Sequence, residues 1–126
     1  MIIATLGSCS TNSAASEEVT SDLLGDNYIY LSPEAIVYAS SISNLISTFP
    51  KFSNDAVNRE VAALKNSLSD YLQAIREFNQ SSKHKSLEDF EKNYKRIQKL
   101  RKFMVQDDDE VLNRYMVKIK TNINLL

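Results

Sequence analysis

The sequence is poor in the residues that punctuate a chain. Its 126 residues hold two glycines and two prolines, too few for the many tight turns of a β-sandwich or barrel. Long helices joined by short loops fit that shortage better. A single cysteine, Cys9, excludes an internal disulfide, so packing alone must hold the fold. A single histidine, His84, leaves no Glu-x-x-His pair for a di-iron bundle and little from which to build a nucleophile–base array. Gly7 and Gly25 are too few for a phosphate-cradling loop. No apolar run approaches the roughly 18 residues of a membrane-spanning helix. The uncharged stretch 35–49 comes nearest, and Ser40, Ser41, Ser43, Asn44 and Ser47 interrupt it.

What is present is helical periodicity. In 54–79, Val57, Val61, Leu64, Leu68, Leu72, Ile75 and Phe78 recur at steps of three or four, which places them on one stripe of a helix. Arg59, Glu60, Lys65, Asp70 and Glu77 lie between them. Such a stripe must be covered by other helices. Ser32-Pro33-Glu34 starts a helix ahead of it: Ser32 caps, Pro33 takes the first position and Glu34 meets the dipole. That helix is expected to run to Thr48, where Phe49-Pro50 stops it. Its stripe is Ala35, Ala39, Ile42, Ile46 and Phe49, widened by Tyr38 and Leu45. Residues 79–82 read as a link. Ser86, with Asp89 three positions on, reads as a capping box that opens a third helix, whose stripe is Leu87, Phe90, Tyr94, Ile97, Leu100 and Met104. The acids Asp107, Asp108, Asp109 and Glu110 favour a new helix start at Asp107 or Asp108. Leu112, Tyr115, Ile119 and Ile123 continue it, with Val111 and Met116 beside them.

One domain is expected at this length. The fold class is all-α, a small antiparallel bundle of about four helices over 32–126, with a flexible signal- or tether-like segment over 1–31. Within that segment, 16–24 has the makings of a short helix and 26–31 of a connector.

Net charge is −1, but the charges are unevenly placed. Residues 1–50 contain no Lys or Arg and five acids, while 81–104 carry eight bases against three acids. Lys92, Lys95, Arg96, Lys99 and Lys102 recur at helical spacing opposite the apolar stripe, which makes 83–102 a basic amphipathic helix. Its partners by chemistry are nucleic acid, anionic lipid headgroups or an acidic protein; a solvated helix face is the plain alternative. His84, in a lysine-rich loop by this reading, has no evident partner for catalysis. Asp107 to Glu110 lack the glycine of a calcium loop, and helix capping explains them more simply. No metal or cofactor is expected, and no catalytic residue is assigned.

Leu6-Gly7-Ser8-Cys9 resembles the lipobox of bacterial lipoproteins: a leucine, two small residues, then cysteine. The resemblance implies a diacylglycerol on the thiol of Cys9, cleavage just before it and acylation of the new amine. Residues 10–16 are small, polar and uncharged, as a tether requires. Ser10 after the cysteine, in place of Asp, resembles outer-membrane sorting. A full signal segment has a basic start and an apolar stretch of about 7–15 residues. Here only Ile2 to Leu6 are available and no base precedes them. Either the start lies upstream of Met1 or the match is fortuitous. The resemblance covers at most residues 1–16; with no catalytic group in evidence, the first expectation is a non-enzymatic, lipid-anchored bundle facing the periplasm, acting on a protein partner as adaptor, accessory subunit or inhibitor. The alternative is a cytosolic module that grips an anionic partner through the basic helix.

Overall fold

The computed structural model describes residues 31–126. Cys9 with its lipobox, the short helix over 16–24 and all but the last residue of the connector lie outside the described residues. The described chain forms four α-helices: α1 Pro33–Thr48, α2 Asp55–Arg76, α3 Gln80–Leu100 and α4 Gln106–Leu125. A 3-10 turn, Arg101–Phe103, links α3 to α4. No strand occurs among the described residues. The connections are short, so each helix reverses the last, as in an up-down bundle.

The first two starts follow the sequence reading. Ser32 accepts a hydrogen bond from the Ala35 amide at 3.1 Å with Pro33 at the first position, and Asn54 accepts from the Val57 amide at 3.1 Å. The third start does not. Asn79, not Ser86, caps α3 by accepting from the Ser82 amide at 3.0 Å. Ser86 is buried inside the helix, its hydroxyl donating to the Ser82 carbonyl at 2.8 Å. His84 therefore sits on a helix and not in a loop. The reason is packing: α2 and α3 are the most extensively packed pair of helices. Small residues on α2 (Ser67, Ala74) and Ser86 on α3 are buried, so a serine that reads as polar punctuation is a seam residue. Ser67 Oγ sits 3.3 Å from Asn93 Oδ1 across that seam.

Phe78 also departs from expectation. It continues the stripe of α2 in sequence, yet the helix ends at Arg76 and Phe78 is 58% exposed with φ of 53°. The Asn79 amide bonds back to the Ala74 carbonyl at 2.9 Å, the closure usually made with glycine in the left-handed position. Here phenylalanine occupies it. At the other end, α4 begins at Gln106, behind Val105, which makes no side-chain cap; Asp107, Asp108 and Asp109 fill the first turn instead.

The core is a single cluster. Ile36, Ala39, Ile42 and Leu45 enter from α1, so Ile36 and Leu45 take the central places expected of Ala35 and Ile46. From α2 come Val57, Val61, Leu64, Leu68, Leu72 and Ile75, and from α4 Leu112, Met116, Ile119 and Ile123. Met116 is fully buried and Tyr115 lies at the edge. Helix α3 supplies only Phe90 and Ile97 as fully buried apolar side chains; Leu87, Tyr94 and Leu100 pack at its margin. Much of α3 thus faces outward.

Polar ties hold the ends. Asn58 locks the first connection, accepting from the Phe52 amide at 2.8 Å and donating to its carbonyl at 2.7 Å. Ser53 donates from its amide and hydroxyl to Asp108 at 3.0 and 2.9 Å. The Tyr115 hydroxyl donates to the Thr48 carbonyl at 3.0 Å, satisfying an end of α1.

Candidate functional site

The outward face of α3 carries the strongest local charge. Lys92, Lys95, Arg96, Lys99 and Lys102 are all exposed, on the side away from Phe90 and Ile97. Their helical spacing is that expected from sequence, and the structure brings the five together in one strip roughly 15 Å long.

The neighbouring acids decide whether such a strip is neutralised. Helix α3 has three. Glu88 faces His84 at 3.3 Å, Asp89 takes Lys85 at 3.1 Å, and Glu91 takes Lys120 of α4 at 3.4 Å. Beyond the 3-10 turn, Asp109 takes Arg101 and Asp108 takes Ser53. Among the described residues, none of Lys92, Lys95, Arg96, Lys99 and Lys102 makes an ion pair. Exposed pairs of this kind exchange readily and are individually weak, but their pattern leaves the five cations without an ion pair among the described residues.

Arg101 is the best-tethered base in the region. Its guanidinium meets Asp109 at 2.6 and 3.2 Å and reaches Gln98 and Asn113 at 3.0 Å each. The hydrogen bond from Arg101 holds the Asp109 carboxyl below its ordinary range, partly opposed by burial, and the same bond raises Arg101. This pair ties the 3-10 turn to the first turn of α4. Burial pushes the Tyr71 phenol up; it lies in the core.

The surface depressions are open grooves. One of about 380 Å³ between α2 and α3 is rimmed by Lys92 and Arg96 on one side and Asp70 on the other. A second, of about 540 Å³, continues along the same seam past Asp70, Glu77, Ser82 and Asp89. Lys85 also lines the second groove and Asp89 lines both, so acids and bases alternate along the seam. A smaller apolar one, about 140 Å³, lies at the far end beside Leu31, Ile75, Phe78 and Leu126. Among the described residues no group of His, Cys, Asp and Glu is arranged to hold a metal ion, and no helix is long and apolar enough to cross a membrane. His84 is exposed, with its Nε2 3.3 Å from a carboxylate oxygen of Glu88.

Sequence reasoning missed the apolar tip next to the strip. The third stripe takes in Met104 and passes over Phe103 and Val105, which are 67% and 59% exposed at the turn between α3 and α4. Two apolar residues outside the helical stripe, beside a predicted helix end, were the available signal. No family model matches the chain, and no curated protein or solved structure matches it significantly.

Proposed function

We propose that this chain is a non-enzymatic binding protein: a helical bundle tethered to a membrane through a lipid on Cys9, working on the periplasmic side of the outer membrane. Its role there is that of adaptor, accessory subunit or inhibitor of a protein partner, with a helix face as the contact surface. The observation that carries the reading is the order of parts: Leu6-Gly7-Ser8-Cys9, a small uncharged run over 10–16, then a bundle with its own core from α1 onward. That order matches what an anchored domain needs, an acyl site set apart from the fold by a pliable spacer. The test is the mass of the peptide bearing Cys9 from the membrane fraction of cells expressing the gene from its natural upstream sequence. A diacylglyceryl adduct is expected. An unmodified thiol on protein recovered from the soluble fraction would overturn the reading.

A second reading is favoured by the ion-pair pattern on α3. With its acids engaged elsewhere, the strip Lys92, Lys95, Arg96, Lys99 and Lys102 suits an anionic partner in the cytosol, nucleic acid included. Salt-dependent retention on a polyanion column, abolished by reversing Lys95, Arg96 and Lys99 to Glu, is its expected signature. Retention unchanged by the reversal would remove it.

A further inference from the structure

We propose that the α3 strip and the tip beyond it form one membrane-contacting surface, whose ligand is the anionic headgroup layer of a phospholipid bilayer. The proposal rests on reading the α3 face as a contact surface and does not depend on acylation of Cys9. Three observations meet there. Among the described residues, the five bases of the strip have no ion-pair partners. The strip ends at a turn that presents Phe103 and Val105 to solvent. Lys102 Nζ lies 5.2 Å from the centre of the Phe103 ring, so cation and aromatic face are already paired at the edge of the apolar tip.

The chemistry separates lipid from other polyanions. A nucleic acid duplex offers phosphates to Lys95, Arg96 and Lys99 but no apolar layer to cover Phe103 and Val105. A headgroup layer offers both: phosphates outside, acyl chains just beneath. Aromatic side chains settle at that boundary, and lysines flanking them keep their ammonium groups among the phosphates while their stems lie flat. Lys51 is exposed on the 49–54 connection at the same end of the bundle, which Ser53 ties to Asp108. Asp107 and Glu110 are the exposed acids near the tip. They oppose contact, so binding is expected to be reversible and sensitive to salt.

The test is co-sedimentation of the full chain carrying Cys9→Ser with two vesicle types: phosphatidylglycerol and phosphatidylcholine in equal parts, and phosphatidylcholine alone. Removing the thiol makes any binding independent of an anchor, so failure here and failure of the Cys9 mass test are separate results. Binding to the mixed vesicles that weakens with salt is expected. Each base near an anionic surface is worth about fivefold, so Lys95→Gln with Arg96→Gln and Lys99→Gln should weaken it about 100-fold. Phe103→Ser should cost about tenfold at unchanged salt dependence. These residues are exposed, so helicity should be retained, and circular dichroism checks it. Equal binding to both vesicle types, binding unaffected by the triple change, or duplex DNA bound more tightly than the mixed vesicles with Phe103→Ser inert would each overturn the proposal.

Discussion

Replacing Asp109 by Asn removes the charge from the Arg101 clamp while keeping its shape. The pair is bidentate, at 2.6 and 3.2 Å, and its side chains are 25% and 30% exposed. A fully exposed pair contributes roughly 0.2–1 kcal/mol, and stranding a buried partner costs roughly 3–5 kcal/mol. Here solvent screens both groups, and Arg101 keeps Gln98 and Asn113 as partners. The expected cost is therefore at the low end, about 1 kcal/mol. With a urea slope of about 1.5 kcal/mol/M, the unfolding midpoint should fall by about 0.7 M. The pH dependence follows from the lowered carboxyl. A carboxyl with a depressed native pKa stabilises the fold above its unfolded value, about 3.9, and loses that contribution as pH falls through the native value. The gap between wild type and Asp109→Asn should then be flat from neutral pH to about 5 and close below about 4. A midpoint shift below about 0.2 M, or a gap that closes already near neutral pH, would refute the reasoning.

Three further outcomes test the packing. Phe90 is completely buried, and Phe90→Ala should cost about 3–5 kcal/mol in urea unfolding. Ser86→Leu forces a large side chain into the α2–α3 seam and should cost about 1–3 kcal/mol, whereas Ser86→Ala should be nearly neutral because the hydroxyl bonds only its own helix. Asn79→Ala removes the cap of α3 and should cost about 1 kcal/mol, which urea unfolding separates from a cap placed at Ser86.

Legibility in the sequence followed apolar size. Where large side chains recur, as from Val57 to Ile75 or from Leu112 to Ile123, periodicity located the helix and its buried face. Where a helix packs through small or polar residues, it did not. Ser86 resembles a helix cap because serine carries no burial signal, yet it is buried at the α2–α3 seam, where close approach of two helices requires residues of that size. Phe78 misled for the opposite reason: its spacing fits the stripe, but it stands at the centre of the three-residue turn that reverses the chain. The basic strip was legible from spacing. Its lack of compensation was not, because the partners of Glu91 and Asp109 depend on how α3 and α4 cross, and Lys120 lies 29 residues from Glu91.

All four helices share one sealed interior, and activity is left to the outside. Hydrogen exchange of backbone amides in the full chain measures this directly. Amides around Leu64 and Leu68, Phe90 to Ile97, Ile42 and Leu112 to Ile119 should exchange together and slowest, through global unfolding, with those of 77–79 and 101–105 much faster. If α1 and α4 exchanged orders of magnitude faster than α2 and α3, the closely packed α2–α3 hairpin would stand as an independent unit, and the single shared core would be contradicted.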